Sequence, residues 1–98
     1  MAYGYSVRKA DDNQVKVAEA FRRLRWSYKH THTIGKGFPD GIAGYNGVNY
    51  LIEIKDGSKV KSQRKLTEDE QKFHDEWKGQ VVIIESVDDV IRFVKEKQ

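Results

Sequence analysis

The sequence predicts an α/β domain with a single mixed β-sheet flanked by helices. Three observations lead there. Asn46-Gly47 separates two runs of strand-forming residues, the strongest short-range signal for an antiparallel hairpin. The apolar run "VVII" at 81–84 follows a helical stretch opening at Thr67, so a strand–helix–strand crossover adds a further strand. Helical periodicity near both ends then supplies cover for the sheet.

Each element has a local cause. The opening "MAYGYSVRKA" has no clear period and is expected to be a flexible or dimer-contacting extension, with Tyr3 and Tyr5 as its apolar surface. From Asp11 a helix is predicted: Asp11, Asp12 or Asn13 caps it, and Val17, Ala20, Phe21 and Leu24 recur at helical spacing. "WSYKHTHTI" is rich in β-branched and aromatic residues and reads as a strand. The hairpin follows, bounded by Gly35, Gly37 and Pro39. "DGSKVKSQRK" is a polar, basic loop. Thr67 and Glu70 form a capping box, and Phe73 and Trp77 share one face of the helix, which stops at Gly79. "QVVIIE" is a continuous apolar run, typical of a strand covered on both faces. Ser86 caps a last helix whose stripe is Val87, Val90, Ile91 and Val94; Phe93 falls off that stripe and is expected at a subunit contact.

At 98 residues the chain suits a single domain spanning 1–98. Apolar residues are 38% and charged residues 34%, a globular composition with a modest core. No apolar run has membrane-spanning length, the N-terminus lacks the apolar segment of a signal peptide, and there is no cysteine. A cytoplasmic location with no membrane partner is expected from these features. The net charge of +3 permits a nucleic-acid partner without demanding one.

The hairpin concentrates the chemistry. A two-residue turn at Asn46-Gly47 pairs Tyr45 with Val48, Ala43 with Tyr50 and Asp40 with Glu53. Opposed residues project to one face, and Lys55, two residues on, returns to that face while Ile52 and Ile54 point into the core. A glycine bulge at Gly41 or Gly44 would break this register. Opposed like charges destabilise a sheet by up to about 1 kcal/mol. A hard divalent cation reverses that sign, and Mg2+ is commonly held by one or two carboxylates plus water. Asp40, Glu53 and the backbone carbonyl of Ile54 are the candidate ligands for Mg2+ or Mn2+; Lys55 would orient water or stabilise charge on phosphorus oxygens. The plain alternative is an exposed sheet face on which Lys55 neutralises two acids.

The pattern Pro39-Asp40, then Glu53-Ile54-Lys55 on the next strand, resembles the PD-(D/E)XK nuclease superfamily. With Thr67, Gln71, Gly79 and Ser86 downstream, residues from about 11 to 95 resemble the VRR-NUC branch, particularly its small stand-alone phage and bacterial members. The resemblance implies a restriction-endonuclease-like core and a Mg2+- or Mn2+-dependent endodeoxyribonuclease. It makes Asp40 and Glu53 metal ligands, Lys55 the catalytic lysine and Gln71 an active-site accessory. It also implies a homodimer selective for branched DNA, similar to Holliday-junction resolvases. One position departs: where many relatives carry a glutamate early in the first helix, this chain has Gln14. Glu19, the nearest acid, lies about 200° from Val17 on the helical wheel, away from the core stripe.

Beside the carboxylates, Lys59, Lys61, Arg64 and Lys65 are expected to contact DNA phosphates without reading bases, with Arg22, Arg23 and Arg25 extending the basic surface. His30 and His32 share a strand face but have no evident third ligand for zinc, so packing or substrate contact is expected there. His74, near Gln71, is by default a solvated histidine. No small-molecule cofactor is implied. Rival functions are a nicking or accessory nuclease of phage replication or packaging, a catalytically idle nucleic-acid-binding module, and an interaction domain without nucleic acid.

Overall fold

The computed structural model describes residues 11–98; the expected N-terminal extension lies outside them. Helix α1 (Asp12–Arg23) leads to β1 (Ser27–His30), β2 (Gly41–Tyr45) and β3 (Val48–Ile54), then α2 (Glu68–Glu76), β4 (Val81–Ile84) and α3 (Val87–Lys97), with one 3₁₀ turn at Lys61–Gln63. The sheet order is β1-β2-β3-β4; the first two pairings are antiparallel and β3–β4 is parallel. This is the α/β mixed sheet that the sequence predicts.

The turn sets the register. Asn46 (φ 52°) and Gly47 (φ 79°) both have the positive φ of a type I′ turn. Tyr45 pairs with Val48 and Ala43 with Tyr50, and the ladder holds as far as Gly41–Ile52. There the Asp40 N–H also turns to the Ile52 carbonyl, so Asp40 and Gly41 both face Ile52 as in a bulge, and the predicted Asp40–Glu53 rung does not form. Even-numbered residues of β2 therefore share a face with odd-numbered residues of β1 and β3. The opposite face packs beneath α1 and α3, where Val17, Phe21, Tyr28, Ile52, Ile84, Val90 and Phe93 form the core. Gly41 is required there: a Cβ at this position would lie 2.0 Å from the Tyr28 hydroxyl. The absent side chain lets the Tyr28 ring lie along the sheet toward Asp40.

Three expectations change. Phe93 is only 8% exposed, its ring 5.1 Å from Tyr50, 5.6 Å from Trp26 and 6.3 Å from Phe21. The apolar arc of α3 is wide enough to choose between two stripes, and the larger ring takes the core, turning Ile91 (46% exposed) and Val87 outward. Second, β4 is an edge strand covered on one face only, because α2 reaches across part of the second face and leaves Ile83 45% exposed. Third, the first strand ends at His30. The Thr31 N–H donates to the Asp40 carbonyl at 2.7 Å, and the chain then turns through Gly35, Lys36 and Gly37, all at positive φ. His32 thus lies beyond the strand, its ring 5.6 Å from that of His30.

Phe93→Ala is expected to lower unfolding free energy by about 3–5 kcal/mol, as for other buried aromatics, whereas Ile91→Ser changes it by no more than about 0.5 kcal/mol. Denaturant titration of both variants checks this; comparable small losses would return Phe93 to the surface.

Candidate active site

Asp40 stands just before β2, yet its backbone is held from both sides. Its N–H donates to the Ile52 carbonyl at 2.9 Å, and its carbonyl accepts from Thr31. Its carboxylate Oδ2 accepts the Ile54 N–H at 2.8 Å, standing in for the strand partner that β2 no longer supplies. In a strand, the N–H and C=O of one residue point to the same edge, so the Ile54 carbonyl is directed toward the Asp40 side.

Glu53 is 1% exposed, and its carboxyl lies within hydrogen-bond reach of that of Asp40 although the two residues are not paired in the ladder. Its Oε1 is buried with no hydrogen-bond partner. Burial, then a hydrogen bond shared with Asp40, then the Asp40 and Glu70 charges push its carboxyl up to about 9, against the opposing pull of Lys55. The neutral acid is therefore the resting form near pH 7. His74 Nε2 lies 3.5 Å from Glu53 Oε1. Burial lowers the His74 pKa despite the raising influence of Glu70 and Asp75, so this contact joins two neutral groups and is not an ion pair.

Lys55 emerges on the same face, and its Nζ meets Glu70 Oε1 at 2.6 Å. The same Glu70 oxygen accepts the Thr67 N–H at 2.8 Å, completing the capping box. Burial pushes the Glu70 carboxyl up, but the hydrogen bonds from Lys55 and Thr67 outweigh it and hold the group below its usual range. One carboxylate thus starts α2 and orients the lysine. At the far side of the sheet, Asn13 Nδ2 donates to the Lys55 carbonyl at 2.9 Å, tying the start of α1 to the end of β3.

The structure brings Asp40, Glu53, Ile54 and Lys55 together and leaves Gln71 out. Gln71 is exposed and donates to Asp75 Oδ1 at 2.9 Å. Its neighbours Glu70 and His74, one turn apart on the sheet-facing side of α2, occupy the place expected of it, and His74 is no solvated residue. Lys59, Lys61 and Lys65 are exposed on the loop after β3, but Arg64 is half-buried and paired with Glu85 Oε1 at 3.0 Å. Tyr28 is a further participant: its hydroxyl is buried without a hydrogen-bond partner, and burial followed by the Asp40 charge raises its pKa. Gln14 shares the buried stripe of Val17 and Ala18, with Oε1 buried and unpartnered, whereas Glu19 is exposed.

Among the described residues no group of three or more His, Asp or Glu side chains forms a metal cage. The donors present nevertheless fit a hard divalent cation, which takes one or two carboxylates and fills the remainder with water and phosphate oxygens. The buried, unpartnered Glu53 oxygen beside a second carboxylate is the feature that such an ion would satisfy. Comparisons with family models, curated proteins and solved structures gave no match. The residues themselves therefore carry the functional reading.

The Glu53 shift fixes a pH dependence. The folded state retains a proton that the unfolded chain, near 4.5, has released, so the associated stability is full below that value and is lost as pH rises toward 9. The lowered His74 acts in the opposite sense, but only at and below its ordinary value of 6.5. Metal-free protein should therefore lose stability between about pH 7 and pH 9, and Glu53→Gln should flatten that slope. Denaturant midpoints across this range test it; an equal slope in the variant would remove Glu53 as the source.

Proposed function

We propose that this chain is a Mg2+- or Mn2+-dependent endonuclease that hydrolyses DNA phosphodiester bonds. The observation that carries the proposal is the adjacent Asp40 and Glu53 carboxyls, with an unpartnered buried oxygen on Glu53 and with Lys55 on the same strand face as Glu53. Resemblance to the PD-(D/E)XK pattern supports the same reading.

In this proposal Asp40, Glu53 and the Ile54 carbonyl would hold the metal ion, with Glu53 in its deprotonated form. The bound ion would supply Lewis acidity at the phosphorus oxygens and to a nearby water. Lys55, fixed by Glu70, contributes a positive charge that orients that water and offsets charge developing on the diester. Glu70 acts through Lys55 as a positioning residue. Glu53 is covered in this arrangement, so α2 must shift for a duplex to reach it. That helix has no fully buried residue and is held by the Lys55 and His74 contacts and by the Phe38–Phe73–Trp77 rings. Trp77, 44% exposed, would report the shift in its emission, against a buried Trp26.

Cutting both strands of a branched substrate takes two such sites, so the proposed active species is a two-fold dimer. Phe93, a core residue, plays no part in that contact. A catalytically idle nucleic-acid-binding module is the second reading, favoured by one observation: Lys55 is already neutralised by Glu70, as in a purely structural cluster.

A panel of labelled linear, flap, fork and four-way DNA incubated with Mg2+ or Mn2+ tests the proposal. Cleavage should fall to background in Asp40→Ala and Glu53→Ala. In Lys55→Ala it should fall by at least about a hundredfold while DNA affinity is largely kept. Four-way junctions should be cut faster than linear duplex by a species of twice the 11.4 kDa chain mass. Normal cleavage by Asp40→Ala would sink the assignment, and binding without any cleavage would favour the idle module.

A further inference from the structure

The sheet face that carries Asp40 and Glu53 is closed at one end by α2 and open at the other. At the open end lies a groove of about 600 Å3 lined by Arg25, Ser27, Gly44, Asn46 and Asn49 together with Tyr45, Gly47 and Val48. No carboxylate is among its lining residues, which include one arginine, two hydroxyl-bearing residues (Ser27 and Tyr45) and two asparagines. The register puts Ser27, Gly44 and Asn49 in one row across the sheet and Lys29, Ile42 and Leu51 in the next; Glu53 follows two residues further along β3, with the Asp40 carboxyl beside it. Two rows correspond to four residues, about 13 Å along the strands. That is about four nucleotide steps of one duplex strand.

We propose that this groove, continued by Lys29, binds the sugar–phosphate backbone of a DNA strand and leads it toward the Asp40–Glu53 pair. The inference deepens the nuclease proposal and rests on it for the direction of the strand. The exposed Lys59, Lys61 and Lys65 of the loop lie beyond the opposite end of β3, so cations flank the carboxylates on both sides.

Two backbone features point the same way. Gly44 sits inside β2 without a positive φ, where a side-chain-bearing residue would serve the strand better; glycine at such a place often marks close approach by another backbone. A Cβ there would meet only the tip of Asn49, at 3.2 Å, before ordinary van der Waals distances. Arg25 has φ 70°, in the left-handed region just after α1, where glycine is the usual occupant. An arginine held there against backbone preference needs a compensating use, and Arg25 is among the residues that line the groove.

Arg25→Gly separates use from structure, because it relieves the left-handed strain while removing the cation. The variant is expected to melt higher than the parent yet bind duplex DNA more weakly. Adding Lys29→Gln should reduce the slope of log affinity against log salt by about 1.8 in all, 0.9 for each of two charges. Gly44→Glu, which puts an anion in the groove, should weaken binding at least tenfold with the fold intact by melting. Cleavage of bis(p-nitrophenyl) phosphate with Mn2+, a substrate too small to reach the groove, should be the same in parent and variants. Unchanged duplex affinity and salt slope in all three variants would overturn the groove while leaving the nuclease reading intact. Lost affinity in the variants of a parent that binds duplex but cleaves neither substrate would support the groove and reject the nuclease. Binding of polyglutamate in place of duplex would assign the groove to an acidic protein and overturn the proposal.

Discussion

A carboxyl group buried in the third strand, facing another carboxyl and lacking a partner for one oxygen, is the constraint around which this domain is arranged. Burial of a charged Glu53 beside Asp40 is unfavourable enough that the group holds its proton to about 9. A merely structural position of this kind is better served by leucine, whose burial is favourable and requires no partner. An acid at this position is what the proposed hard-cation site would account for, since a cation rewards two adjacent carboxylates.

The remaining architecture can be traced from that pair. The tight turn at Asn46-Gly47 fixes which residues oppose each other, and the Asp40 carboxylate then takes the Ile54 N–H that the shortened second strand leaves without a partner. The crossover helix lies over the pair, using Glu70 to hold Lys55 and His74 to cover Glu53. On the other face, the aromatic cluster of Phe21, Trp26, Tyr28, Tyr50 and Phe93 supplies rigid support beneath the same strands. Tyr28 belongs to both regions, since Gly41 lets its ring run along the sheet until its hydroxyl feels the Asp40 charge.

The sheet was legible because period-two alternation and an Asn-Gly turn are local signals that together determine a register; that register ends at Gly41–Ile52, and the Asp40 carboxyl reaches Glu53 from outside it. Side-chain meetings across the crossover are not local. Glu70 was visible only as a capping residue, and nothing in its neighbourhood announced a lysine on the preceding strand; Glu70 and His74 at i and i+4 formed the one available hint. Gln71 was expected at the site through resemblance alone, and the rotation of α2 turns it to solvent. The burial of Phe93 is not legible from periodicity, because a helix with apolar residues on a wide arc has two possible buried stripes, and ring volume decides between them. Ile83 was expected to be covered because strand composition does not reveal how far a neighbouring helix extends.

The central claim is that Asp40 and Glu53 form a divalent-cation site whose resting state holds a proton. Calorimetric titration of Mn2+ at about pH 7.5, repeated in buffers of different ionisation enthalpy, measures both binding and proton release. Saturable binding with release of about one proton per ion, abolished in Glu53→Gln, is the result the account predicts. Absence of saturable binding at millimolar Mn2+, or binding of equal strength in the variant, would contradict it.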